Sequence, residues 1–151
     1  MTVLIALHVL AAVIWVGGMF FAYLVLRPSA GPLEPTLRLA LWSRVFSRFF
    51  PWVWASIAVL LISGYSILFL RFGGFAGSPP HINVMQGTGI LMMLLFFYLF
   101  FAPWRRFSHA VERRAFDEAS TELNQIRRIV AINLVLGLVT VAAGASGRFW
   151  A

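Results

Sequence analysis

Val3 to Leu26 reads VLIALHVLAAVIWVGGMFFAYLVL, twenty-four residues without one Asp, Glu, Lys or Arg. A bilayer core of about 30 Å is crossed by roughly 20 apolar residues in a helix rising about 1.5 Å per residue. In hydrocarbon every backbone N–H and C=O must find its partner within the protein, so an uncharged run of this length is a helix. The same absence of charge recurs over Trp52–Leu70, Phe72–Trp104 and Ile129–Gly147. Four such runs predict an all-α integral membrane protein. Its single membrane domain is a four-transmembrane-helix bundle with spans at about 3–26, 52–70, 79–102 and 126–148.

Composition agrees with that class. Of the 151 residues 61% are hydrophobic and only 11% charged, against roughly a quarter charged in a soluble domain. The net charge of +7 does not point to nucleic acid, because the arginines sit in short blocks beside the apolar runs. An anionic membrane surface accounts for them there. Cysteine is absent, which excludes disulfides, thiolate metal sites and thiol catalysis. The first run is not a signal peptide by pattern: Met1-Thr2-Val3 carries no positive charge, and the run exceeds the usual apolar length.

The boundaries follow from capping and helix-breaking residues. Helix 1 is expected to start near Thr2 and to end at Arg27-Pro28, before a loop rich in Pro and Gly that runs to Pro35. Leu37 to Phe50 sets Trp42, Phe46 and Phe49 against Arg38, Arg44 and Arg48, the pattern of an interfacial amphipathic segment before helix 2. Pro51 is read as a boundary or kink between the two. Ser78-Pro79-Pro80 reads as an N-cap followed by proline in the first turn of helix 3, which leaves the membrane near Ala102-Pro103. The connection Trp104–Arg128 between helices 3 and 4 is markedly polar and holds Glu112, Asp117, Glu118 and Glu122.

Orientation follows from the arginines. Arg27, Arg38, Arg44 and Arg48 flank the first connection, and Arg105, Arg106, Arg113, Arg114, Arg127 and Arg128 the third; only Arg71 and Arg148 lie on the other side. The bias places the first and third connections in the cytoplasm. Both termini then face the periplasmic side of a bacterial inner membrane.

Small and weakly polar residues at spacings of three or four mark the faces on which helices meet in lipid. Helix 1 offers His8, Ala12, Trp15, Met19 and Ala22; helix 2 Ser56, Ser63 and Gly64; helix 3 His81, Met85, Gly89, Met92 and Phe96; helix 4 Asn133, Gly137, Thr140, Gly144 and Arg148. Packing alone accounts for most of them. The histidines differ, because ionisable side chains within a span are costly and mark function. His8 lies about 9 Å below the start of helix 1, and His81 about 4 Å inside helix 3. Both helices begin on the same side, so the imidazoles occupy similar depths.

Two kinds of site suit them. His81 and Met85 share a helical face, and with His8 approaching from helix 1 they form an imidazole–thioether set that favours Cu(I). The alternative is a b-type haem with His8 and His81 as axial ligands. Gly87 and Gly89 would leave room for the porphyrin, and Arg71 and Arg148 would meet its propionates. Met19, Met92 and Met93 are read as core filling, and His109 as a solvated residue of the arginine-rich segment. No phosphate-binding loop, intramembrane carboxylate pair or Ser/His/Asp arrangement is present, so the balance is against an enzyme.

LHVLAAVIWVGG at Leu7–Gly18 and RVFSRFFPWVWASIAVLLISG at Arg44–Gly64 resemble the first two helices of the copper-resistance D (CopD) family. GTGILMMLLFFYLFFAPWRRF and LNQIRRIVAINLVLGLVTVAAG are similar to the remaining helices of its short, stand-alone members. The resemblance implies an inner-membrane protein of copper uptake or tolerance, with His8 matching the family's first-helix histidine. A weaker likeness is to HemJ-type membrane proteins: the first-helix His and Trp match, but their later lysine has no counterpart in a chain without Lys. Three functions are therefore carried forward. The chain handles copper and meets an outer-side copper carrier; or it is a haem b redox protein with an electron-transfer partner; or it is a non-catalytic accessory subunit. The lipid bilayer is a partner in every case, and oligomers are compatible with each.

Overall fold

A computed structural model describes residues 1–150. Every element in it is helical, and four helices are long and apolar enough to cross a membrane. α1 (Thr2–Phe20) continues through a π-helical turn at Phe21–Leu26 into α2 (Arg27–Ala30). The helix therefore outruns the expected stop at Arg27-Pro28. Pro28 has no N–H to give, and its ring crowds the carbonyl four residues back; the widened turn just before it accommodates both.

α3 spans Pro35–Phe72 as one helix with Pro51 inside it. Of the two readings of Pro51, the boundary is thus corrected: the amphipathic stretch and the apolar stretch form one continuous helix. One proline removes one backbone hydrogen bond, a loss that neighbouring helices in a bundle tolerate. α3 ends at Gly73, whose φ of +68° is the left-handed conformation that glycine adopts without steric cost.

α4 (Pro80–Phe101) opens with Pro79 as its N-cap, one residue beyond the expected Ser78. The Ser78 hydroxyl instead contacts the Phe75 carbonyl and the Asn83 side chain. Ala102 breaks the helix at φ −119° and ψ −84°, and Pro103 starts α5 (Pro103–Glu112). α6 (Phe116–Ser146) begins ten residues before the expected Ile126. Its first turn carries Asp117 and Glu118, which suit the positive end of a helix dipole. The polar connection is therefore two helical arms joined by a short turn.

α1 packs along α3 and α4 along α6, while α1 also meets α6 and α5 lies on α6. Close approach depends on missing side chains. A Cβ on Gly18 would collide with the Phe49 ring, and one on Gly137 would lie 2.8 Å from Val16. Between α4 and α6 a polar seam joins the Thr88 and Thr140 hydroxyls at 2.6 Å, and Asn133 Nδ2 donates to the Met92 carbonyl at 3.1 Å. Such interhelical bonds hold helices together where no hydrophobic drive separates protein from lipid.

The two ends of the bundle are filled differently. Towards the arginine-rich end, α3 lines up Phe46, Phe50 and Trp54 at intervals of four. Phe46 stacks on Phe50 at 5.1 Å, Phe50 meets Trp104 at 5.1 Å and Phe96 at 5.5 Å, and Trp54 lies 5.4 Å from Phe96. Towards the end holding the termini the helices separate around a cavity. The outward faces of α1, α3, α4 and α6 expose apolar side chains such as Val13, Ile62, Leu94 and Val135. An apolar surface of that extent is suited to lipid rather than water.

Candidate functional site

The cavity holds about 390 Å³ and lies among α1, α3, α4 and α6. His8, His81 and Met85 all line it, so the two histidines expected to share a site from different helices do open onto one space. Trp15, Val16, Met92 and Gly137 form part of the same wall.

His8 is oriented by α3. Its Nδ1 lies 2.8 Å from the Ser63 Oγ, and that hydroxyl donates its own proton to the Val59 carbonyl at 2.5 Å. A serine has one proton to donate; given to Val59, it leaves Ser63 to accept from His8 Nδ1 and the imidazole lone pair on Nε2, the way a neighbouring hydrogen bond sets a histidine tautomer. Ser63 was legible only as part of a small-residue stripe; its role as the partner of His8 depends on the register between α1 and α3.

Each candidate ligand rests over a glycine. The His8 ring faces Gly64, where a Cβ would stand 3.1 Å from Cε1. The Met85 thioether lies over Gly144, where a Cβ would be 2.9 Å from Cε and 3.2 Å from Sδ. The His81 ring packs directly on Gly147, a position that admits no Cβ at all, with the Trp150 ring edge-on at 6.1 Å. Gly147 was not singled out in the sequence. It opens a short 3-10 turn after α6, and the periodic pattern continues from Gly144 to Arg148, four residues on, passing over it.

The other expected participants divide. Arg71 lines the cavity; Arg148 is not among its lining residues and lays its guanidinium on the Phe149 ring at 4.6 Å. Gly89 lines it, whereas Gly87 is exposed and does not. Met92 and Met93 reach the wall but Met19 is buried elsewhere in the core. His109 is exposed on α5, with Nδ1 3.8 Å from the Glu112 carboxylate. Among the described residues no group of three or more His, Cys, Asp or Glu side chains could hold a metal ion. Of the side chains that line the cavity, His8, His81 and Met85 are the ones with imidazole or thioether donors expected to bind a metal, a soft set of the kind that suits Cu(I).

No curated protein and no solved structure matches this chain. The family model for copper resistance protein D matches residues 43–146. That stretch takes in Ser63, His81 and Met85 and begins after α1, so His8 lies outside it. Two thirds of the chain, with three of its four long apolar helices, carry the match: this multi-pass membrane protein belongs to the copper resistance protein D family.

Proposed function

We propose that the protein handles copper, binding Cu(I) in the cavity through His8 Nε2, His81 and Met85 as cargo for uptake or tolerance. The observation that carries this reading is the opening onto one space of two imidazoles from separate helices, the second with a thioether one turn along α4. Family membership supports copper as the ion. Arginines gathered at the opposite end favour a cytoplasmic location for that end, so the cavity faces the periplasm of a bacterial inner membrane. An outer-side copper carrier is the partner that fits this arrangement.

Detergent-purified protein, loaded with Cu(I) and washed, is expected to retain close to equimolar copper by elemental analysis. His8→Ala and His81→Ala are each expected to lose it. Wild-type protein that washes free of copper, or a His8→Ala variant that holds as much, would end the reading.

A second reading rests on the cavity's size. About 390 Å³ exceeds what one ion fills and falls within the range of organic ligand pockets, roughly 300–1,000 Å³. Haem b between His8 and His81, with Arg71 near a propionate, would use that space. Protein from haem-replete cells would then show a Soret band that His8→Ala abolishes. Colourless preparations rule it out.

A further inference from the structure

At the arginine-rich end three helices converge on a second, smaller recess. Ala22, Tyr23 and Arg27 from the first helix, Trp42 and Phe46 from α3, and Arg127 and Val130 from α6 line it. Its enclosed part holds about 10 Å³, room for one oxygen-sized atom.

Two features of the recess are unaccounted for by packing. Trp42 is 2% exposed and its Nε1 has no hydrogen-bond partner. The Nε of Arg127 is likewise buried without one, while its Nη1 reaches only Asn124 Oδ1 at 3.4 Å. The Arg127 guanidinium lies 5.5 Å from the centroid of the Trp42 ring, so both idle donors belong to neighbouring side chains that line the one recess. Second, the cations gather without an anion. Arg27 and Arg38 are close enough to Arg127 to repel it. Among the described residues the ion pairs to carboxylates involve Arg106, His109 and Arg113, and none of these three. Arg27, at the end of the turn Phe21–Leu26, lays its guanidinium 4.8 Å over the Tyr23 ring at the same recess.

Buried N–H donors are as a rule satisfied, and each exception calls for an explanation. We infer that this recess binds the phosphate of an anionic phospholipid, one non-ester oxygen entering to accept from Trp42 Nε1 and Arg127 Nε while Arg27 closes on the other. Guanidinium groups suit phosphate oxygens in geometry and charge. The recess lies where the apolar helix surfaces give way to arginine and Trp/Tyr rings, the level of lipid headgroups, and basic pockets between spanning helices are known headgroup sites. The inference is independent of copper.

The test uses delipidated full-length protein in a neutral detergent, titrated with phosphatidylglycerol and followed by native mass spectrometry. Phosphatidylglycerol is expected to bind in a one-to-one step. Arg27→Gln and Arg127→Gln should each weaken that step at least about tenfold. Trp42→Phe, which keeps the ring and removes only the N–H, should weaken it several-fold. Arg105→Gln, at the same end but set over the Phe101 ring at 5.2 Å, should leave it unchanged. Equal weakening by Arg105→Gln would reduce the effect to diffuse surface charge and overturn the inference. So would wild-type affinity in Trp42→Phe together with Arg27→Gln. Inorganic phosphate at millimolar concentration is expected not to displace the lipid; full displacement would make the recess a free-phosphate site and overturn the lipid assignment.

Discussion

At His8 one hydrogen bond ties Nδ1 to α3 and leaves Nε2 as the nitrogen open to a ligand. Ser63 can accept from Nδ1 only because its own proton goes to Val59, one turn back on α3. Loss of such an orienting partner typically costs 10–100-fold in metal affinity. Ser63→Ala is therefore expected to weaken Cu(I) binding by about tenfold in competition with a Cu(I) chelator; an unchanged affinity would show that the contact does not orient the ring. The glycines make a finer distinction. At Gly144 an added methyl meets the flexible end of Met85, which can move, so Gly144→Ala is expected to fold and to bind somewhat less tightly. At Gly147 it meets the Cβ and ring root of His81, which cannot. Overpacking of that kind costs about 1–3 kcal/mol, and Gly147→Ala should lower the unfolding temperature in detergent more than Gly144→Ala does. The histidines were legible from depth alone, since each lies a short way into a helix starting on the same side. Ser63 as partner and Gly147 as support were not, because both depend on which faces meet across helices, and one sequence does not encode that register visibly.

At the scale of the element, the uncharged runs marked four spanning helices but understated their lengths. α3 and α6 extend far beyond the hydrocarbon-length segments, because their outer halves are amphipathic and pack on each other and on α5 rather than lying along the membrane. Periodicity identifies such a face without saying whether lipid headgroups or protein will cover it. On α5 the cover is protein: Phe107 and Ala110 are fully buried against α6, where Ala119 and Ile126 are also fully buried. Phe107→Ala is expected to cost about 3–5 kcal/mol, read as a large fall in thermal stability. Glu122→Gln, which neutralises the acid paired with half-exposed Arg106 and keeps its shape, should change it far less. Comparable losses from both would mean that charge rather than packing docks α5. Pro51 belongs to the same lesson. A proline after an amphipathic stretch reads as a boundary or a kink; the turn before it is held by Phe50 against Phe96 and Trp104, and the helix continues, which excludes the boundary.

For the whole molecule, the absence of cysteine makes orientation directly measurable. Ser78→Cys, in the short connection before α4, is expected to react with a membrane-impermeant maleimide added to intact spheroplasts. His109→Cys, exposed on α5, should react only after the membrane is opened. The reverse pattern would place the cavity on the cytoplasmic side and require copper to enter it from within.

The aromatic packing at the arginine-rich end then sets a limit on traffic. Trp15 at the cavity wall already touches Phe96 edge-on at 6.2 Å, and behind Phe96 stand Phe50, Phe100 and Trp104. The chamber is closed toward that end in this conformation: a guest inside it meets interlocked rings rather than a channel. Passage to the far side needs either several interlocked rings to part together or a second polypeptide to take the cargo over at the mouth.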